Sequence, residues 1–358
     1  MKTGISLYPG LNRSIDEDLI LLKQAASRGI TRLFTSLQIP ETNRTVFQKD
    51  LSRLLQQARR FGMDVCADLS PQTSALLGIE GTPQALQELG ITTVRLDSGF
   101  STRQAALFSR ILTIQLNAST IRPAFAEDLR RAGANMSHVD CLHNFYPRPH
   151  TGLSEEYVVA QTKWLHQEGL SVGAFIPSQA GRRGPLFAGL PTLEQHRYID
   201  VSLSARHLAA LGMDSVFIGD NAPSETELDA LAQVGREEKG VVVVKARLLS
   251  RDPWMRDFLS RTLTARLDGA RDAIRAQEGR PCLHGHHILP NGPQRPLRSG
   301  DITVDNEGYL RYMGEIQILT APLPAERRTN IAAEVLPDER FLLSYITPGQ
   351  KFRLEFVR

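Results

Sequence analysis

The sequence predicts an α/β fold, a (β/α)8 TIM barrel followed by a small β-rich domain. From residue 3 to about 238, short apolar runs alternate with amphipathic stretches, which gives eight strand-then-helix units. Glycines follow several amphipathic stretches just before the next apolar run, as is expected at helix C-termini. After Gly240 this alternation stops and strand-like segments with short turns predominate. The change predicts a barrel domain at residues 1–238 and a β-rich domain at residues 239–358.

The predicted barrel strands are short runs rich in apolar and β-branched residues. They lie at residues 4–7, 32–37, 64–67, 92–96, 112–116, 139–142, 171–176 and 215–218. Helical patterns between them include residues 15–27, 155–167 and 193–211. Ser14, Thr192 and Ser224 each precede Glu or Gln by three residues, and this spacing predicts capping boxes at helix starts.

In the second domain the apolar run at residues 241–244 predicts a strand, and the spacing of apolar residues at 257–276 predicts a helix. Further strands are predicted from apolar and aromatic runs closer to the C-terminus. They are residues 301–304, 309–319, 341–346 and 352–356. Two roles stay open for this domain, closure over the barrel mouth or a homodimer interface.

The composition limits the class of protein. A net charge of +3 over 358 residues gives no reason to expect a nucleic-acid partner, and basic pairs such as Arg182-Arg183 are interpreted as solvated surface. Three distant cysteines give no disulfide framework or metal knuckle, which fits a reducing compartment. No apolar run approaches the length of a membrane span, and the N-terminus enters a strand-like segment directly. We therefore expect a cytoplasmic protein without a membrane partner, metal or cofactor.

Several carboxylates follow predicted strands. Active sites of such barrels lie at the C-terminal ends of the strands, so Asp68, Asp97 and Asp220 are expected to converge on one rim. Glycoside hydrolysis uses one carboxyl group as acid and a second as base or nucleophile. Asp97 and Asp220 are the leading catalytic pair, and Asp68 is the third candidate. For each of them a helix cap or loop hydrogen bond is the competing interpretation.

Other polar side chains fall at the same rim and are candidates for substrate binding. They are Gln38, Glu41, Asn117, His143, Asn144, Tyr146, Arg148 and Glu194. Four of them lie in or beside a segment stiffened by two prolines, HNFYPRP at residues 143–149. Glu194 is equally explained as an acidic residue in a first helical turn. In the second domain, Arg298 lies in a basic loop that suits a phosphate or, equally, a solvated turn.

The segment HNFYPRP, followed by TGLS at residues 151–154, resembles the signature of the MupG-type bacterial proteins. The resemblance extends along the chain through GISLYP at residues 4–9, FTSL at 34–37 and FIGD at 217–220. In the tail, RSGDITVDN at residues 298–306 and RYMGEIQI at 311–318 are similar to the C-terminal domain of that family. The chain departs from the family pattern at Gln38 and His150.

The resemblance implies a TIM barrel joined to a cyclophilin-like β domain. It also implies a cytoplasmic 6-phospho-N-acetylmuramidase of cell-wall recycling, which splits N-acetylmuramic acid 6-phosphate from N-acetylglucosamine. Arg148 and Arg298 are then candidate partners of the substrate's phosphate and lactyl carboxylate.

Two other functions are kept open. Barrels also host sugar-phosphate aldolases and isomerases, and a non-catalytic sugar-phosphate-binding protein would use the same rim. Schiff-base chemistry would need a lysine on a strand, and the nearest candidate, Lys245, falls after the barrel.

Overall fold

The structure is a computed structural model, and it describes residues 1–11, 13–37, 44–70, 82–96, 99–291 and 295–357. The chain divides into two compact units, Met1–Glu237 and Glu238–Arg358. Three predicted site residues, Gln38, Glu41 and Asp97, lie outside the described residues. Within the described ranges, no helix combines the length and the apolar character needed to cross a membrane.

The first unit is a closed barrel of eight parallel strands, which confirms the predicted fold class. Each strand pairs with its neighbours in chain order, and the first strand closes the barrel by pairing with the eighth. The strands are β1 (Lys2–Ser6), β2 (Arg32–Ser36), β3 (Asp64–Leu69), β4 (Thr93–Leu96), β5 (Thr113–Asn117), β6 (Val139–Leu142), β7 (Ser171–Ile176) and β8 (Ser215–Ile218).

Helices follow the strands, as the alternating pattern predicts. They are α1 (Ile15–Ser27), α2 (Arg44–Arg60), α3 (Pro83–Glu88), α4 (Thr102–Phe108), α5 (Pro123–Arg131), α6 (Glu155–Gln167), α7 (Val201–Ala210) and α8 (Glu225–Arg236). The capping boxes predicted at Ser14 and Ser224 are confirmed at the starts of α1 and α8. A third box, formed by Ser101 and Gln104, begins α4.

The helix predicted at residues 193–211 is wrong in its first half. Glu194–His196 forms a single 3₁₀ turn, and α7 begins after Asp200, whose side chain accepts from the Leu203 N–H. Thr192 does not cap a helix. Its hydroxyl donates to the carbonyl of Asn144 at 2.9 Å and accepts from the Phe175 N–H at 2.9 Å. Thr192 therefore ties two barrel loops together instead of starting a helix.

Side chains of alternating strand residues divide between the barrel interior and the helix layer. One buried cluster contains Leu33, Val65, Ala174 and Val216 together with apolar residues of the surrounding helices. The residues that follow these four in the sequence belong to a second, smaller cluster that fills the barrel. It consists of Tyr8, Phe34, Cys66, Leu142, Phe175 and Phe217. The interior is thus packed with aromatic side chains, and Tyr8 lies just beyond the end of β1.

The second unit is a seven-stranded mixed sheet. The elements are β9 (Val241–Leu248), α9 (Pro253–Leu259), β10 (Thr262–Thr264), β11 (Ala273–Arg275), β12 (Asp301–Asp305), β13 (Ile316–Leu319), β14 (Thr329–Val335) and β15 (Lys351–Val357). The order in the sheet is β10-β15-β9-β14-β12-β13-β11. Strands β15 and β9 are parallel, and the other pairs are antiparallel.

Three predictions for this unit are wrong in detail. Residues 257–276 are not one helix, because α9 ends at Leu259 and the two short strands β10 and β11 follow. Within the segment 309–319, residues 309–312 belong to the 3₁₀ segment Glu307–Tyr312, and the strand is only β13. Residues 341–345 lie in the 3₁₀ segment Pro337–Tyr345, and the strand that precedes this segment is β14.

Candidate active site

Two loops at the C-terminal end of the barrel lie beside each other, and one of them carries four predicted substrate-binding residues, His143, Asn144, Tyr146 and Arg148. We call residues 143–154 the β6 loop and residues 177–193 the β7 loop, after the strands they follow. Parallel strands end at the same rim, so these loops are neighbours. They join through backbone bonds: Tyr146 N–H donates to the carbonyl of Pro191 at 2.9 Å, and Leu153 N–H donates to that of Thr192 at 2.9 Å.

The side chain of Arg197 is the main connection between the two loops. It is only 1 % exposed, and its guanidinium donates to both carboxylate oxygens of Glu194, at 2.7 and 2.6 Å. It also donates to four backbone carbonyls, two in each loop. These belong to Tyr146, Arg148, Ala188 and Gly189, at 3.0 to 3.3 Å. One buried cation thus fixes the backbones of both loops.

Glu194, predicted to bind substrate, is the anionic partner of this arrangement. Besides Arg197, its oxygens accept from the backbone N–H groups of His150 at 2.9 Å and Gly152 at 2.7 Å. The hydrogen bond from Arg197 lowers the pKa of Glu194 to about 2. A Cβ on Gly152 would lie 2.6 Å from a Glu194 carboxylate oxygen and 2.8 Å from its backbone, so only glycine fits there. Glu194 therefore shapes the β6 loop.

Asp220 lies two residues beyond β8 and is fully buried. One carboxylate oxygen accepts from the backbone N–H of Arg183 at 2.8 Å, and the other accepts from those of Ser178 at 2.9 Å and Leu190 at 3.3 Å. Burial raises the pKa of Asp220, while these three bonds oppose the rise. All three donors belong to the β7 loop, so Asp220 holds the backbone of that loop.

Glu227 in α8 fastens the start of the same loop. Its carboxylate accepts from the Ser178 hydroxyl at 2.8 Å and from the Gln179 N–H at 2.6 Å. A Cβ on Gly181 would lie 2.3 Å from the carbonyl oxygen of Ala222, so the loop passes this backbone closely. Two carboxylates and one guanidinium therefore determine the course of the β7 loop.

Among the described residues, Asp68 is the predicted catalytic carboxylate whose side chain reaches solvent. It is the penultimate residue of β3, and its side chain is 26 % exposed. Its carboxylate oxygen lies 3.5 Å from Nε of Arg95, whose side chain is 5 % exposed. The Arg95 guanidinium also donates to the side-chain oxygen of Asn144, a predicted substrate-binding residue. The adjacent strands β3 and β4 and the loop after β6 thus bring an acid, a cation and an amide together at the rim.

Arg183 is brought to the same region by the β7 loop. Its guanidinium lies over the ring of Tyr8, 4.4 Å from the centroid, and 5.2 Å from that of Phe145. The Tyr8 hydroxyl donates to the carbonyl of Gly219 at 3.1 Å. Burial raises the pKa of Tyr8 to about 12, and the charge of Arg183 opposes this. Arg183 is half-buried against aromatic rings, which differs from the solvated surface expected for the Arg182-Arg183 pair.

His143, predicted to bind substrate, has no exposed surface. Its ring nitrogens lie 3.2 Å from the Ser119 hydroxyl and 3.4 Å from that of Thr162 in α6, so the ring faces the helix layer. Burial lowers the pKa of His143 to about 3, and Arg95 adds to the effect. The ring is therefore neutral near pH 7.

This burial predicts a pH dependence of folding. The pKa of His143 is about 3 when folded and about 6.5 when unfolded, so its contribution to stability is complete above pH 6.5 and is lost as the pH falls toward 3. As the pH falls from 7 to 5, we expect the free energy of unfolding to fall less steeply in His143→Gln than in the wild-type protein. The difference in slope should be up to about 1.4 kcal/mol per pH unit. Urea unfolding between pH 7 and 5 measures this. Parallel curves for the two proteins would contradict a buried, neutral His143.

Asn117, also predicted to bind substrate, borders a cavity of about 360 Å³. It is the last residue of β5, and its side-chain oxygen accepts from the Ser119 N–H at 3.0 Å. The other lining residues are mostly apolar or aromatic. They are Leu96, Gly99, Phe100, Ala105, Leu116, Thr120, Ile121, Arg122 and Phe125. The cavity lies between the ends of β4 and β5 and the helices α4 and α5, beside the rim.

The remaining predicted residues occupy different settings. Tyr146 is half-buried in the β6 loop, and Arg148 is exposed there. Arg298 lies in the second unit, where it is exposed and its N–H donates to Asp301 at 2.7 Å. Sequence reasoning missed Arg95, although its place beside Asp68 follows from the inward alternation of β4. It also missed Arg183 and Arg197, which no local pattern distinguishes from surface arginines.

Comparison with known proteins gives the family. A family model described as 6-phospho-N-acetylmuramidase, N-terminal, matches residues 3–233, and the corresponding C-terminal model matches residues 249–355. An uncharacterized protein from B. cereus shares 28% identity, with 99% of each chain covered and a TM-score of 0.85. A conserved protein of unknown function from Enterococcus faecalis shares 31% identity over 99% of this chain and 96% of that one, with a TM-score of 0.72.

No curated protein sequence matches the chain. The two family models together span nearly its whole length, and both carry the name of a glycosidase. The fold and the family resemblance inferred from the sequence are thereby confirmed. The chain belongs to the 6-phospho-N-acetylmuramidase family and is a glycosidase.

Proposed function

We propose that the protein hydrolyses the bond between N-acetylmuramic acid 6-phosphate and N-acetylglucosamine, in cytoplasmic recycling of cell-wall material. The observation that carries the proposal is the grouping of Asp68, Arg95 and Asn144 at the rim. It provides a solvent-accessible carboxylate and polar partners for a sugar in a chain that belongs to a glycosidase family. Arg183 adds a positive charge beside the same rim.

Asp68 takes one of the two carboxyl roles of the reaction in this proposal. Asp220 is buried, and Glu194, although 29% exposed, bonds Arg197 and two backbone N–H groups of the β6 loop; Asp68 is 26% exposed at the end of β3. Asp97, which follows the neighbouring strand β4, is the proposed second carboxylate. A retaining mechanism would need the two carboxyl groups about 5 Å apart, and an inverting mechanism would need a wider separation that admits water.

The cavity beside Asn117 suits part of the sugar substrate. Its phenylalanine and aliphatic lining offers apolar surface to a ring face or an acetamido methyl group, and Asn117 offers an amide to a hydroxyl or carbonyl. Leu96, the last residue of β4, lines the cavity and directly precedes Asp97 in the sequence. We assign the cavity to one of the two amino sugars.

The aldolase alternative gains no support from the described barrel strands. Lys2 is the one lysine among them, and it begins β1, at the end opposite the candidate site. Schiff-base chemistry needs a lysine at the reacting centre. Lys245 lies in β9, in the second unit.

Cleavage of the phosphorylated disaccharide tests the proposal. We expect purified protein to release N-acetylmuramic acid 6-phosphate and N-acetylglucosamine, with far slower cleavage of the unphosphorylated disaccharide, as followed by mass spectrometry. Binding of the phosphorylated disaccharide without turnover would favour the sugar-phosphate-binding alternative. Equal cleavage of both disaccharides would contradict specificity for the phosphate.

A further inference from the structure

Arg183 differs from the other buried or half-buried arginines at the rim. Arg197 bonds Glu194 and four carbonyls, and Arg95 contacts Asp68 and Asn144. Among the described residues, the Arg183 guanidinium makes no hydrogen bond or ion pair, and its Nε is buried without a partner. A guanidinium has five N–H donors, and leaving them unused in a half-buried place is unfavourable.

The position of this unused cation is fixed nevertheless. Its own backbone N–H is held by Asp220 at 2.8 Å, and its guanidinium packs against the rings of Tyr8 and Phe145. Cation–π contact restrains the plane of the guanidinium while leaving its edge available for hydrogen bonds. The backbone anchor and the two rings therefore place Arg183 before a ligand binds.

The charges around Arg183 favour an anionic ligand. Asp68 and Asp220 both act electrostatically on Tyr8, over which Arg183 lies, so the three charged groups share one region. The charge of Asp68 is offset by Arg95, and that of Asp220 by three backbone donors. The charge of Arg183 also acts on Asp220, but among the described residues no carboxylate is hydrogen-bonded to its guanidinium. A doubly charged group with several acceptor oxygens suits it best.

We propose that Arg183 binds the phosphate group of the substrate through paired hydrogen bonds from its guanidinium. The inference rests on the proposed function for the identity of the sugar, and it gives the required phosphate a place beside Asp68. Phosphate recognition would then come from the β7 loop, whose course Asp220, Glu227 and Arg197 determine. Neither Arg148 nor Arg298 would be the principal phosphate ligand.

Kinetics of Arg183→Met and Arg183→Lys test this. We expect the KM for the phosphorylated disaccharide to rise about 10- to 100-fold in Arg183→Met, the range given by charge-assisted hydrogen bonds. Arg183→Lys keeps the charge but loses the planar fork, so a smaller rise is expected. Arg236→Met, which removes an exposed charge from α8, is the matched control and should leave KM unchanged. An unchanged KM in Arg183→Met would overturn the inference.

Two fragments separate phosphate from carboxylate. N-acetylglucosamine 6-phosphate carries the phosphate without the lactyl group, and N-acetylmuramic acid carries the lactyl group without the phosphate. Calorimetry should show that Arg183→Met weakens binding of the first fragment and leaves the second unchanged. Weakening confined to N-acetylmuramic acid would assign Arg183 to the carboxylate and overturn the proposal.

Binding also distinguishes this inference from the proposed function. If wild-type protein binds N-acetylglucosamine 6-phosphate but cleaves no disaccharide, the proposed function fails while the Arg183 assignment can still be measured. If the variants do not fold, the Nε–H resonance of Arg183 in the ¹⁵N-labelled wild type replaces them. A shift of that resonance on adding N-acetylglucosamine 6-phosphate supports the assignment, and no shift at saturation contradicts it.

Discussion

Asp68→Asn is expected to lower kcat/KM for the phosphorylated disaccharide by about 100- to 10,000-fold, the usual contribution of a proton-transferring side chain. The reason is that an amide keeps the size of the side chain but transfers no proton at neutral pH. Asp68 combines a place at the end of β3 with access to solvent. Steady-state kinetics, with thermal unfolding to verify folding, measure the effect.

Two further variants make this result specific. Asp64 lies at the other end of β3, and its side chain is exposed. Asp64→Asn should therefore leave kcat/KM unchanged. Asp220→Asn should lower the melting temperature, because its amide would face three backbone donors with one acceptor oxygen instead of two. Full activity in Asp68→Asn, or loss of turnover in Asp220→Asn with unchanged melting, would instead favour Asp220 as the catalytic carboxylate.

Arg197→Met and Glu194→Gln are expected to have the largest effects on stability, about 3 kcal/mol each. Arg197 is buried whereas Glu194 is 29% exposed, so removing the carboxylate leaves a buried guanidinium without its counter-charge. Arg197 is almost wholly buried, and its replacement by Met would also leave four loop carbonyls without their donor. Urea unfolding measures the loss, and hydrogen exchange should localise loosening to the β6 and β7 loops.

The control for this pair is a surface pair of similar geometry. Arg130 and Glu168 approach to 2.7 Å but are 40% and 30% exposed, so Glu168→Gln should cost less than about 1 kcal/mol. The pKa of Glu194 is about 2 in the folded protein and near 4.3 in the unfolded chain. Its contribution to the free energy of unfolding is therefore complete above about pH 4.3 and disappears as the pH falls toward 2. A loss in Glu194→Gln no larger than in Glu168→Gln would contradict the role of this pair.

The barrel could be predicted because its signals are local. The strands β6, β7 and β8 begin and end at the predicted residues, and so do α1 and α6. Each strand of a parallel barrel is buried on both faces and therefore reads as a short apolar run between amphipathic helices. Each of the capping boxes at Ser14 and Ser224 spans only four consecutive residues, so both could be recognised in the sequence.

The second unit was harder to predict because its short strands depend on distant partners. β10 pairs with β15, and β11 pairs with β13, across long stretches of chain. Residues 257–276 have apolar side chains at helical spacing, but this sheet pairing determines the structure after Leu259. Strands of three residues carry too few positions for alternation to distinguish them from a helix.

At the candidate site, the grouping of polar residues at strand ends could be predicted, but their contacts could be predicted only in part. Strand ends predicted the rim, and Asp68 and Asn144 are brought together there by Arg95. Sequence could not show that Glu194 and Asp220 bond backbone groups, because their donors lie up to 44 residues away in other loops. For the same reason, no local pattern distinguished Arg183, whose side chain contacts the ring of Tyr8, a residue far away in the sequence.

The bonds made by Arg197 have an evolutionary consequence. Four of its acceptors are peptide carbonyls, which every residue type possesses, so the support it gives does not depend on which side chains the loops carry. Exposed side chains on the β6 and β7 loops can therefore be exchanged while the two backbones keep their positions, provided that Arg197, Glu194 and the glycines at 152 and 181 are retained.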